Sequence, residues 1–169
     1  MSQVTKYNGI SKVYFKKILF EIIKIGSLKN INKNILDYGC GEKYLEKMLE
    51  KKILNYDIDY RYNEIKDIYK TNFDIVIFNH VLMYLKKNEI QNIFNRFYKK
   101  NKNCEFIIGI GKQNFLSIIL KNITFNFKAH EGTISSYNDQ LQIIKKNMEI
   151  LKYKKNIFFM TDIFHVKFK

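Results

Sequence analysis

Apolar positions along this chain switch between two spacings. In "SKVYFKKILFEIIKIG" Tyr14, Ile18, Ile22 and Ile25 recur near helical spacing, and Gly26 ends the run. "KNILDY" is a short apolar run and predicts a buried strand, while "EKYLEKMLEK" sets Leu45, Met48 and Leu49 on one helix face. "KILNYDID" predicts a second strand with acids at its C-terminal end. "RYNEIKDIYKTN" is weakly patterned, with one short edge strand around Glu64 to Ile68. "FDIVIFN" is apolar enough for a strand covered on both faces. "KNEIQNIFNRFYKK" aligns Ile90, Ile93, Phe94, Phe97 and Tyr98 as a helical stripe, and "CEFIIGIG" predicts another central strand. After a loosely patterned stretch, "SYNDQLQIIKKN" opens with Ser136 and Asp139 in a capping-box arrangement. "EILKYKKNIFFM" and "DIFHVKFK" then close the chain as two strands joined around Thr161.

Strands that alternate with helices imply a parallel sheet covered on both sides. The expected fold class is α/β: a doubly wound, mostly parallel seven-stranded sheet with a C-terminal antiparallel hairpin. At 169 residues the chain reads as a single domain, 1–169, with 1–33 as an N-terminal helical cap and 112–136 as a substrate-lid insertion. Insertions of that length between elements are usually functional.

Composition changes this picture only slightly. A net charge of +14 suits an anionic partner, yet among 30 lysines and arginines only Arg61 and Arg96 are arginine. Arginine makes the bidentate contacts to phosphate and guanine. The lysines are spread along the chain rather than gathered in a stripe, so nucleic acid is the weaker expectation and a small anionic or lipid-like molecule the stronger. The two cysteines, Cys40 and Cys104, are far apart and form no zinc-type pair, so no metal is expected. No run is long and apolar enough to span a membrane, and "MSQVTKYNGISK" lacks a secretory pattern. A cytoplasmic protein, monomer or homodimer, is the plain expectation.

The chemistry gathers at "LDYGCGEKYL". In an open parallel sheet, ligands bind beyond the carboxyl ends of strands where connections diverge. Gly39 and Gly41 allow a tight turn and a close backbone approach. The following helix offers unpaired N–H groups to an anionic group. Asp57, ending the next strand, is placed to accept hydrogen bonds from a ribose diol. A nicotinamide fingerprint needs a third glycine at position 44, where this chain has Tyr44.

D-x-G-x-G with an acid after the second strand resembles motif I of the class I S-adenosylmethionine-dependent methyltransferases. "NYDID" resembles that family's ribose-binding strand end, "KDIY" its acidic adenine turn, and "FDIVIFNHVLMYL" its fourth strand and the start of the next helix. The resemblance spans about Asn34 to Lys169 and is nearest the small-molecule enzymes often called type 11. It implies S-adenosylmethionine as cofactor, S-adenosylhomocysteine as product, and methyl transfer to a small-molecule acceptor. Asp37 would receive the methionyl ammonium, while Gly39, Cys40 and Gly41 approach the cofactor. Asp57 would hold the ribose, Ile58 pack on the adenine and Asp67 accept from its amino group. Asn79 would lie near the methionine portion. The family has a small residue or glycine at position 43, where this chain has Lys43; its ammonium could pair with the cofactor carboxylate or point to water.

Methyl transfer from a sulfonium is an in-line displacement that positioning can accelerate strongly, and a base helps when the nucleophile carries a proton. His130, where family members bring a histidine over the substrate, is the candidate base. His80, at the mouth of the expected site, and Tyr7, before the first helix, are candidate substrate ligands. Tyr14 suits core packing or closure over the methionine end, and His165 reads as a strand residue. Two other readings stay open: an RNA methyltransferase, motivated by the charge, and a catalytically inactive cofactor-binding relic, motivated by Lys43.

Overall fold

The computed structural model describes residues 9–65, 67–112 and 132–169. Tyr7, His130 and most of the expected lid lie outside the described residues. Six strands form one sheet: β1 (Ile35–Tyr38), β2 (Leu54–Tyr56), β3 (Ile75–Asn79), β4 (Glu105–Gly111), β5 (Met148–Ile157) and β6 (Thr161–Phe168). Their order is β2-β1-β3-β4-β6-β5. The first four are parallel, and β6 runs antiparallel between β4 and β5. The described helices are α1 (Gly9–Ile25), α2 (Tyr44–Leu49), α3 (Lys87–Lys100) and α4 (Tyr137–Asn147).

Alternation along each strand explains why helices cover both faces. Ile75 and Ile77 of β3 join Ile35, Ile107 and Ile163 beneath α1 and α2. Val76 and Phe78 turn the other way, joining Leu36, Phe106, Ile108 and Phe164 against α3 and α4. A strand dressed on both faces must be apolar throughout, as "IVIF" is. On the second face Phe97 is the hub, fully buried, with ring contacts to Tyr38, Tyr69, Phe73, Phe78 and Phe106.

The helix ends follow local chemistry. Ser136 Oγ accepts from Asp139 N while the Asp139 carboxylate accepts from Ser136 N, both at 3.2 Å, so the expected capping box forms. At the start of α3 the Glu89 carboxylate accepts from Lys86 N at 2.7 Å, and at its end Asn101 Nδ2 donates to Phe73 O at 3.2 Å. Gly26 ends α1 where any side chain would overlap Ile107 Cδ1.

The sequence differs from the structure in two elements. The expected edge strand around Glu64 to Ile68 is absent among the described residues, so the sheet has six strands, not seven. That segment has Ile65 and Ile68 buried but its acids serving turns: the Asp67 carboxylate accepts from Tyr69 N, and Asn63 Oδ1 from Ile65 N. Side chains that cap their own backbone compete with ladder pairing. The helix expected straight after β3 is only a 3-10 turn, Leu82–Tyr84, before α3 begins at Lys87.

At the far edge, β5 is exposed along its whole interior, including Lys152, Lys154 and Lys155, and its register with β6 is broken by two bulges. No helix among the described residues is long and apolar enough to cross a membrane.

Replacing the hub tests the packing. Phe97→Ala should cost about 3–5 kcal/mol, the range for a buried phenylalanine truncated to alanine. Urea unfolding of the purified chain measures it, and a loss below 1 kcal/mol would contradict the hub role.

Candidate functional site

The strand order reverses at β1. The chain leaves β1 through α2 on one face to reach β2, then returns past Ile65, Ile68 and Phe73 on the other face to reach β3. The carboxyl ends of β1 and β3 therefore flank a crevice where connections diverge. In register, Tyr38 pairs with Phe78, so Gly39 and Asn79 begin the two loops side by side.

The loop after β1 is held by backbone bonds to β2. Gly39 N and Cys40 N both donate to Tyr56 O, at 2.7 and 3.2 Å. Gly39 has φ of +84°, and a side chain there would overlap Val81 Cγ2, so both conformation and space require glycine. Gly41 has φ of +48°, and among the described residues nothing lies within 4 Å of where a Cβ would stand. The Gly41 N–H donates to Asp57 Oδ2 at 2.9 Å, while Asp57 Oδ1 accepts from Asp59 N at 2.9 Å. The anion that the sequence places against this loop is thus the protein's own carboxylate. Each Asp57 oxygen keeps a lone pair for a further donor.

Asp37 is the unusual group. It is the penultimate residue of β1, 5% exposed, and no hydrogen-bond partner for its carboxyl is found among the described residues. Burial, then the nearby negative charges of Asp57 and Glu46, push its acid up to about 7. Asn79, at the end of β3, also holds a polar atom without a partner: its Oδ1 is buried and unbonded among the described residues. A Cβ on Gly109 would sit 3.1 Å from that oxygen, so glycine clears its space. An unpaired carboxyl, an unbonded amide oxygen and an open glycine turn fit a ligand carrying N–H donors and positive charge.

The remaining expected residues are distributed unevenly. Ile58, adjoining Asp57, is 88% exposed, which leaves its apolar face available to a ring. Asp67 lies in the turn beyond, accepting from Tyr69 N at 2.9 Å, with no described contact to the crevice. Cys40 is buried, its Sγ 3.6 Å from Tyr62 O, and burial foremost raises its thiol to about 12. It is a packed thiol rather than a nucleophile.

Lys43 follows neither course that the sequence allowed. It has φ of +57° at the start of α2, the left-handed conformation that favours glycine, and its ammonium is 2.6 Å from Glu64 Oε1. Lys52 reaches the same oxygen at 2.8 Å, and Asn55 Nδ2 donates to Glu64 Oε2 at 3.1 Å. Burial opposes ionisation of Glu64, but hydrogen bonds from Lys43, Lys52 and Asn55 together outweigh it and hold the acid down at about 2.

On the β4 side of the crevice, His80 has φ of +58° and its Nε2 lies 3.0 Å from Thr161 Oγ1, which is also bonded to the Tyr14 hydroxyl. Gly111 makes room for the imidazole, since a Cβ there would come within 3.1 Å of Nδ1. Next to Thr161, the fully buried Asp162 accepts from Tyr137, Tyr153, Lys112 and Asn156 N, at 2.6 to 2.8 Å. Sequence reasoning did not find Thr161, Asp162 or the glycine pair of "GIG" as parts of this region. The alternation of Gly109 and Gly111 on one face of a buried strand was the available signal.

Asp37 makes stability pH-dependent in a definite direction. The folded chain keeps this acid protonated to about pH 7, whereas the unfolded chain ionises it near 3.8. The folded state therefore holds the extra proton, and stability falls as pH rises from about 4 to 7. Asp37→Asn should remove that fall, so the wild-type-minus-variant difference in unfolding free energy should change by a few kcal/mol, roughly, across the window. A flat difference would refute the burial argument.

No protein-family model matches the chain, and no curated protein matches it. Solved structures do match it in fold. Magnesium protoporphyrin IX methyltransferase from Synechocystis PCC 6803, with bound S-adenosylhomocysteine, superposes with a TM-score of 0.63 at 15% identity, over 98% of this chain and 90% of that one. N-methyltransferase NodS from Bradyrhizobium japonicum WM9, in complex with S-adenosylhomocysteine, gives 0.63 at 11% identity over 92% and 87%. The methyltransferase domain of a bacterial Hen1 gives 0.62 at 14% identity over 91% and 99%. The described α/β architecture, a mixed six-stranded sheet with its reversal at β1, is the class I methyltransferase fold.

Proposed function

We propose that the chain is an S-adenosylmethionine-dependent methyltransferase acting on a small-molecule acceptor. The single observation that carries this reading is the buried Asp37 carboxyl, without a hydrogen-bond partner among the described residues, near the Gly41 turn at the strand-order reversal of a methyltransferase fold. Fold alone would not suffice.

In this reading Asp37 ionises on meeting the methionyl ammonium, and Asn79 Oδ1 gains the donor it lacks. Gly39, Cys40 and Gly41 bring the backbone close. Asp57 uses its spare lone pairs on the ribose hydroxyls, Ile58 offers its exposed face to the adenine, and Asp67 accepts from the adenine amino group. When bound, the sulfonium supplies an electrophilic methyl. The chain's contribution is then to orient the acceptor in line and exclude water, which accounts for much of the rate such enzymes need. His80 and Tyr7 are proposed on the acceptor side and His130 as a base. The relic reading drew on Lys43, and the Lys43–Glu64 bond weakens it, because that ammonium is engaged away from the glycine turn.

Calorimetry with S-adenosylhomocysteine tests the reading. Binding should appear, NAD should give none, and Asp57→Ala should weaken it by about 1–3 kcal/mol, the cost of a lost hydrogen bond to a charged group. Affinity should also rise from about pH 6 to 8 as Asp37 becomes available as a carboxylate. No heat at millimolar ligand would remove the proposal.

A further inference from the structure

Folding brings together lysines that the sequence scatters. Helix α3 ends in Lys99 and Lys100, with Lys102 just beyond it, and α4 carries Lys145 and Lys146 in its last turn; all five are exposed. The end of β6 joins the two helix ends into one surface. Lys169 Nζ donates to Lys145 O at 2.7 Å and Lys169 N to Asn147 O at 3.3 Å. Phe168 meets the Tyr98 ring of α3 edge-on, at 5.1 Å between centroids. Glu105 stands opposite Lys167 in the β4–β6 register, so this surface lies at the amino end of β4. The crevice flanked by Gly39 and Asn79 is at the opposite, carboxyl end of the parallel strands.

Local electrostatics accounts for part of the arrangement, since a cation in the last turn of a helix is favourable with the dipole. The dipole does not bring two such ends side by side or add Lys102, and like charges gathered without counter-charge oppose the compact state. Elsewhere lysines take acids: Lys17 with Glu21, Lys43 and Lys52 with Glu64, Lys87 with Asp139. Among the described residues none of these five ammoniums has an acid partner. The acids at this end are engaged, Glu149 by Lys167 at 3.2 Å and Glu105 by Lys33 at 2.6 Å. Uncompensated cations in a row fit a ligand with repeated negative charge.

Tyr98 narrows the class. It is 48% exposed, and neither helix end presents a large aliphatic side chain to solvent. A bilayer surface is held by apolar side chains buried at its headgroups. A single nucleic-acid strand instead offers phosphates to lysines and bases to stack on a ring.

We propose that the joined ends of α3, α4 and β6 bind single-stranded nucleic acid, with the five lysines on phosphates and Tyr98 against a base. The surface is apart from the crevice, so the strand is a second ligand rather than the methyl acceptor. The proposal does not rest on the methyltransferase reading.

Fluorescence anisotropy of labelled oligouridylate and oligothymidylate, titrated with the full chain from about 50 to 200 mM salt, tests it. The two probes tell which sugar the surface takes. Log affinity should fall against log salt with a slope of about −3 to −4, from five phosphates at roughly 0.7 each on a single strand. Replacing Lys99, Lys100 and Lys102 together by Gln should weaken binding more than about tenfold and reduce the slope by about 2. Lys145→Gln with Lys146→Gln should act in the same direction. Tyr98→Ala should cost about fivefold or more, the stacking of one base. The control is Lys12→Gln with Lys16→Gln, exposed on α1 across the sheet: it removes as much charge as the α4 pair and should leave the slope unchanged. Thermal melting shows that each variant is folded. Equal losses in the control and the α4 pair would reduce the effect to net charge and overturn the proposal. Unchanged affinity in Tyr98→Ala, or sedimentation with phosphatidylserine vesicles without oligonucleotide binding, would overturn it as well. Calorimetry with S-adenosylhomocysteine should be unaltered by these variants, so failure of either reading leaves the other standing.

Discussion

A buried carboxyl near the end of a parallel strand, with no hydrogen-bond donor among the described residues, is the constraint around which this molecule is arranged. Asp37 cannot ionise cheaply where it stands, because burial and two neighbouring acids both oppose its charge. Natural cores rarely tolerate such a group unless something external completes it. The parts around it are a turn at Gly39 too tight for a side chain, a Gly41 with no neighbour among the described residues where a Cβ would stand, and an Asp57 that ties the loop to β2. The loop is thus fixed by the protein's own hydrogen bonds, and in the proposed reading Asp37 is completed by the cofactor.

Much of this was legible in the sequence, and the reasons differ by element. "FDIVIFN" could only be a strand buried on both faces, and it is one; the aligned apolar stripe of α3 likewise lies against the sheet. The glycine turn and Asp57 were legible because their backbone demands are local. The missing strand near Glu64 was not, because Asp67 and Asn63 bond to their own backbone and win over pairing that a weak apolar pattern suggests. Lys43 was ambiguous because its partner, Glu64, is brought close only by the fold. Thr161 was invisible for the same reason: its two partners, Tyr14 and His80, lie 147 and 81 residues away along the sequence.

The two halves of the crevice are built by different means. On the β2 side, backbone bonds and a carboxylate clamp shape the glycine loop. On the β4 side, glycines inside a strand carve room for Asn79 and His80, and helix α1 contributes Tyr14 from above. Strand β4 gives up side-chain packing at Gly109 and Gly111 to do so, and the flanking Ile108 and Ile110 remain fully buried to hold it in place.

The exposed outer strand carries a different implication. A sheet margin with free N–H and C=O groups invites a strand from another molecule. Along β5, Lys152, Lys154 and Lys155 would face their counterparts in any such self-association, and the two bulges spoil the ladder that it requires. Repulsion between like ammonium groups and an uneven backbone therefore guard the molecule against growing sideways into fibres, so that its lysine-rich character protects solubility at the place where the fold is most vulnerable.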